Sequence, residues 1–212
     1  MKHLVIIGAR GWGREMYAAA RNTVAYHNRE FDIKGFLDDK ADALDGLKGD
    51  FPPILGPVET YQIASDDVFF CAMGDPEWRK HYVEIISNRG GEFITVINPT
   101  ARINPTAMIG DGSYVGAYSI ISDNVTIGRH TILQCFNDIG HDVVIGDYVS
   151  VESYVFLGGG AKVGDKSTMH TKSSVIPHKR VGDNCVVGIN SVVMKNISDG
   201  KTVFGIPAKD IL

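Results

Sequence analysis

Cysteine is scarce in this chain. Three of 212 residues, Cys71, Cys135 and Cys185, lie scattered in apolar surroundings, an odd number with no zinc-binding spacing. That excludes a disulfide framework and reads as small core residues in a reducing compartment. Positive charge is not in excess either. Lys and Arg number 21 against 25 Asp and Glu, a formal net charge of −4, and no basic stripe is present to neutralise a phosphate backbone. Nucleic acid is therefore not an expected partner. No apolar run approaches the roughly 18 residues a membrane span requires. The opening run Leu4–Ile7 is too short for a signal peptide and is followed at once by Gly8. The expectation is a cytoplasmic protein with no membrane span. Small acidic ligands remain possible, because backbone N–H groups at a helix N-terminus bind phosphate without net positive charge.

What is present divides into two halves with different periods. Residues 1–96 alternate strand and helix patterns. Strands are expected at Leu4–Ile7, Phe31–Leu37, Val68–Met73 and Phe93–Ile97. Helices are expected from Gly13 to about His27, near Glu59–Ala64, and over Pro76–Arg89, where a proline opens the helix. This βαβαβ order implies a small parallel, Rossmann-like sheet with right-handed crossovers.

From Ile97 the period is six. Every sixth residue from Ile97 to Val193 is aliphatic, 17 of 17 without a slip. Four positions further on, 14 of the 17 residues are Ala, Ser, Thr, Val or Cys, and the position after the aliphatic residue is Gly in nine. A fixed short period of this kind is the signature of a solenoid, here over residues 97–212. One aliphatic side chain per hexad fills a narrow shaft, and glycine is expected to relieve the backbone at each corner. Three hexads make an 18-residue coil, so residues i and i+18 stack on neighbouring coils.

Residues Gly8, Gly11 and Gly13 stand between a strand and a helix as G-x-x-G-x-G. This is not the dinucleotide fingerprint G-x-G-x-x-G, but it lets a ligand approach a helix N-terminus. Asp38-Asp39 end the second strand, where a carboxylate can accept hydrogen bonds from a ribose or base. Gly74 ends the third strand and is expected to line the same crevice.

Four segments and the hexads together resemble the sugar O-/N-acetyltransferases of the sialic acid O-acetyltransferase type. The segments are Gly8-Ala9-Arg10-Gly11-Trp12-Gly13-Arg14, Phe36-Leu37-Asp38-Asp39, Ile139-Gly140-His141-Asp142-Val143-Val144-Ile145-Gly146-Asp147 and Val203-Phe204-Gly205-Ile206-Pro207-Ala208-Lys209. The resemblance implies a left-handed parallel β-helix following the α/β domain, acetyl-CoA as cosubstrate, and a homotrimer with CoA in the groove between neighbours. It also implies a nucleotide-linked amino sugar, UDP-linked, as acceptor, held by Gly11, Trp12, Gly13, Asp38, Asp39 and Gly74. Its alternative is O-acetylation of sialic acid or another sugar. A non-enzymatic or zinc-binding β-helix is the remaining reading.

Acyl transfer to an amine or hydroxyl needs a general base, and histidine suits it. Of seven histidines, three (His3, His27, His81) lie in the first half. His141 is third in its hexad, so it points outward, and its neighbour one coil on is Gly159, inside Gly158-Gly159-Gly160. Asp142 beside it favours the protonated imidazole and so raises its basicity. The resemblance places the catalytic base at His141 and its acidic partner at Asp142, where the compared enzymes carry Glu. It places acetyl-CoA contacts at Ser150, Thr171 and Ile189, and the stacking adds bare backbone for the cosubstrate at Gly159 beside the base and at Gly188. Ser150 stands where those enzymes have a second histidine. His130, His141, His170 and His178 are separated by 11, 29 and 8 residues, which lacks the close pair of a three-histidine zinc site, so no metal is expected.

Overall fold

A computed structural model describes residues 1–211 of the chain. It contains two compact units, Met1–Pro99 and Thr100 onward.

In the first unit, β1 (Lys2–Ile7) pairs in parallel with β2 (Phe31–Leu37) on one side and β4 (Asp67–Cys71) on the other. With β3 (Ile54–Gly56) and β5 (Glu92–Phe93) the sheet runs β3-β2-β1-β4-β5, all parallel. Leu4 to Ile7 and the whole of β4 are buried, as expected of central strands covered on both faces. The first two helices are α1 (Gly11–Arg21) and α2 (Val24–His27). The third, α3 (Pro76–Ser87), starts at Asp75, whose carboxylate accepts from the N–H groups of Glu77 and Trp78. That N-cap, followed by Pro76, is why the helix begins there.

The expected helix from Gly13 to His27 is broken, because the Thr23 hydroxyl accepts from the Tyr26 N–H and starts a new turn. No helix forms at Glu59–Ala64. There side chains satisfy the backbone instead: Asp67 accepts from the Ala64 N–H at 2.8 Å, and the Arg89 guanidinium donates to the carbonyls of Val58, Glu59 and Tyr61. The strand expected over Phe93–Ile97 is two pieces, Glu92–Phe93 on β4 and a separate Val96–Ile97. Cys71 and Cys185 are buried and all three thiols are free. Burial pushes the Cys71 thiol up to about 12, well away from a reactive thiolate.

The second unit is a parallel β-solenoid of two-residue strands on three faces. The first face runs from Arg102–Ile103 to Val192–Val193, the second from Met108–Ile109 to Arg180–Val181, and the third from Tyr114–Val115 to Val186–Val187. Each strand pairs 18 residues on, as Ile120 with Asp138, Thr126 with Val144 and Ile132 with Ser150. The hexad aliphatic residues from Val115 to Val193 are all buried in one continuous core.

The small residues beside them form a second ladder. The Thr131 hydroxyl donates to the Gly146 carbonyl and accepts from the Val149 N–H, and Ser113 does the same with Gly128 and Thr131. A hydroxyl at this position thus satisfies backbone groups on the next coil that would otherwise be buried and unpaired. The glycines have a different reason from the one expected. The left-handed corner is the fourth hexad position, filled by Tyr118, Asn124, His130, Phe136, Asp142 and others with φ near 60°. The glycines of the second position are required because a Cβ there would collide with the next coil, as Gly110 with the Arg129 N at 2.7 Å. The strand Thr202–Phe204 adds to Val186–Val187, and the last strand, Lys209–Asp210, folds back antiparallel on it.

Candidate active site

The order of the first sheet reverses between β1 and β4, and ligands of such sheets bind beyond the strand ends at that point. A crevice of about 510 Å³ lies there, lined by residues that include Trp12, Gly13, Asp38, Asp39 and Gly74. Gly11 opens α1 but does not line it. Gly13 is needed for packing, since a Cβ would overlap the Gly8 carbonyl. The two aspartates divide their work. Asp38 Oδ2 accepts from the Ala9 N–H and Oδ1 from the Lys40 N–H, both at 3.0 Å, so this carboxylate pins the glycine turn to the end of β2. Asp39 is exposed at the crevice.

Sequence reasoning missed the opposite wall, Trp78 and Tyr82, stacked at 6.0 Å. Their spacing of four on α3, just after the Gly74 turn, was a legible signal of a shared helix face. Burial, with Asp39 next in weight, raises the Tyr82 phenol above its ordinary value and keeps it a hydrogen-bond donor.

On the solenoid, His141 is exposed and its Nδ1 lies 2.7 Å from Asp142 Oδ2. Asp142 Oδ1 accepts from Asn124 Nδ2, also at 2.7 Å. The Asn124 amide, then His141, hold the Asp142 carboxyl below its ordinary value. An ionised Asp142 bonded at Nδ1 orients the ring and leaves Nε2 as the other ring nitrogen, an arrangement suited to a general base with an acidic partner. Nε2 lies over Gly159, 2.6 Å from where a Cβ would stand. A groove of about 420 Å³ opens at His141, lined also by Ile103, Asn104, Ile120 and Asp123.

The remaining expected contacts are more varied. Ser150 is half-buried in a strand. The Thr171 N–H and hydroxyl both donate to Glu152 Oε2, and its carbonyl accepts from the Asn190 N–H, so its backbone groups are engaged within the chain. The space beside Gly188 is occupied by the Phe204 ring, and Ile189 is exposed. Burial alone would raise the Glu152 carboxyl, but Thr171 and His170 outweigh it and hold it below its ordinary value.

A crevice at the strand ends of a parallel α/β sheet and a His–Asp pair on a hexapeptide solenoid define the class: a two-part hexapeptide-repeat protein. Residues 3–86 match the model of the PglD N-terminal domain. Over 121 residues the chain is 32% identical to UDP-N-acetylbacillosamine N-acetyltransferase of Bacillus subtilis, a match covering 55% of this chain and 52% of that enzyme. An uncharacterized mimivirus protein is 30% identical over 105 residues, 20% of its length, so the chain spans about half or less of the curated relatives it matches.

Among solved structures, a mutant perosamine N-acetyltransferase of Caulobacter crescentus, in complex with CoA and GDP-perosamine, superposes with TM-score 0.89. It is 23% identical and covers 100% of this chain and 98% of that one. The acetyltransferase domain of PglB from Neisseria gonorrhoeae, in complex with acetyl coenzyme A, gives TM-score 0.76 at 26% identity, covering 99% of each. The front of the chain is thus similar to the PglD N-terminal domain, and its two-part fold is that of the solved acetyltransferases.

Proposed function

We propose that this protein transfers the acetyl group of acetyl-CoA to the amine of a nucleotide-linked amino sugar. The observation that carries the reading is the Asn124–Asp142–His141 chain of hydrogen bonds, with His141 laid over bare Gly159. The likeness to relatives whose names specify N-acetylation of such sugars supports it.

In this reading Asp142 orients His141, and Nε2 removes a proton from the amine as nitrogen attacks the thioester carbon. The carbon–nitrogen bond forms, the carbon–sulfur bond breaks with its electron pair going to sulfur, and CoA becomes the thiol on taking up a proton. The flat backbone at Gly159 admits the pantetheine arm beside the base. The crevice at Asp39, Trp78 and Tyr82 takes the nucleotide, with UDP the expected nucleotide. As part of the same reading the protein works in the cytoplasm as a homotrimer. Among the described residues no helix is long and apolar enough to cross a membrane. Exposed, mutually stacked Tyr118, Phe136 and Tyr154 offer a face for a second copy.

The test supplies acetyl-CoA with UDP-linked or GDP-linked 4-amino sugars and follows free thiol. Release with one of them, reduced at least 100-fold by His141→Ala, is expected. Silence with every amino-sugar acceptor, or full activity in the variant, overturns the reading. Light scattering of the intact protein measures the assembly, and a monomer would remove the trimer from it.

A further inference from the structure

Gly158, Gly159 and Gly160 lie in a row on one coil, and each is overlaid by a different residue. A Cβ on Gly158 would stand 2.7 Å from Pro177 Cδ, one on Gly159 2.6 Å from His141 Nε2, and one on Gly160 2.6 Å from His178 Nδ1. Two imidazoles therefore reach the same bare turn from opposite sides. His141 leans onto it from the preceding coil and His178 leans back from the following one. Main-chain bonds fix the register of the three coils: the Gly160 N–H donates to the His141 carbonyl at 2.8 Å, and the His178 N–H donates to the Gly159 carbonyl at 3.0 Å. His178 is exposed, and its ring lies against the bare Gly160 backbone.

The proposed function employs the first of these imidazoles and leaves the second idle. A thioester lying on the Gly159–Gly160 backbone would have one ring on each side. One ring could then serve the incoming amine and the other the departing sulfur.

We infer that His178 is the second proton-transfer group of this site, donating a proton to the thioester sulfur as CoA leaves. This rests on the acyl-transfer reading above. The step balances within the two histidines. His141 gains the amine proton as the carbon–nitrogen bond forms, and protonated His178 gives one up as the electron pair of the carbon–sulfur bond goes to sulfur. The products are the amide and the CoA thiol. Solvent then returns the proton from His141 to His178, and no oxidant or reductant is involved.

The charged groups around His178 are Asp142 and His141 from the preceding coils, Lys162 beyond the glycines, and Lys179 and Arg180 next to it in sequence. Asp142 is close enough to interact with His178 electrostatically. Arg180 is turned to Asp199 at 3.3 Å. The glycines between the rings contribute no charge, so a bound thioester is flanked by the two imidazoles and one carboxylate.

The experiment compares full-length wild type, His178→Gln, His178→Ala and His141→Ala, measuring kcat/KM against pH with acetyl-CoA and the amino-sugar acceptor. Wild type is expected to give a bell, its acid limb set by the base and its alkaline limb by the proton donor. The His178 variants should lose the alkaline limb and fall about 100-fold at the optimum, with an unchanged melting temperature. An acetyl thioester of a more acidic thiol needs less help in leaving, and should shrink that defect. A merely positional role would move neither the limb nor the leaving-group dependence. If both stay as in wild type, the inference is overturned. Loss of activity in His141→Ala alone would sink it while leaving the acyl-transfer reading intact, whereas no thiol release from wild type sinks both.

Discussion

The imidazole Nε2 of His141 occupies the space that a side chain on Gly159 would fill, 2.6 Å from the position of a Cβ. The two residues lie 18 apart in the chain and on adjacent coils, so the register of the solenoid puts the imidazole over bare backbone.

Gly159→Ala should therefore damage activity more than stability. The new methyl must displace the imidazole, which is the free end of a flexible, exposed side chain, so the fold tolerates it. The ring leaves its bond to Asp142 and its aim toward a substrate. Misplacement by about 1 Å costs on the order of 100-fold in rate. Steady-state kinetics with a melting curve checks this, and a fully active variant would show that the close approach is incidental.

Asp38 and Asp39 are neighbours with opposite expectations. Asp38→Ala strips the acceptors from the N–H groups of Ala9 and Lys40 and should cost about 1–3 kcal/mol of stability along with nucleotide binding. Asp39→Asn should leave the melting temperature alone and weaken nucleotide binding about tenfold, since one hydrogen bond to a charged group is replaced by a weaker neutral one. Calorimetric titration with UDP and GDP reads both. Equal loss of stability in the two variants would refute the division.

Glu152 predicts a pH dependence of stability. Its carboxyl is held below its ordinary value in the fold, where Thr171 and His170 outweigh the opposing effect of burial. A carboxyl lowered on folding contributes stability that is complete above its unfolded value and is lost as pH falls through the folded one. Wild type should therefore lose stability on acidification through the carboxylate range. Glu152→Gln should be less stable at neutral pH and show a shallower decline. Denaturation at a series of pH values measures the difference, and parallel curves for the two proteins would remove Glu152 from the account.

Much of this was legible because the solenoid is periodic. With every neighbour fixed at i+18, sequence alone paired His141 with Gly159 and stacked Val115 to Val193 in one shaft. The β1–α1 turn and Asp38-Asp39 were legible as a crevice for a related reason, since strand ends in a parallel sheet converge. Where side chains and not period set the local structure, the sequence misled. Arg89 and Asp67 hold the Val58–Ala64 segment out of a helix from distant positions, and Thr23 cuts one helix in two.

The sequence by itself determined the solenoid, its register and the exposure of His141, because an unbroken period of six leaves one way to bury the aliphatic row. Tertiary structure decided which groups are engaged and which are open. Asp38 is bound to backbone while Asp39 faces the crevice, Gly188 is covered by Phe204, and His178 leans back onto Gly160. Each of these depends on where one side chain turns once the backbone is in place, and a repeat pattern carries no information about that.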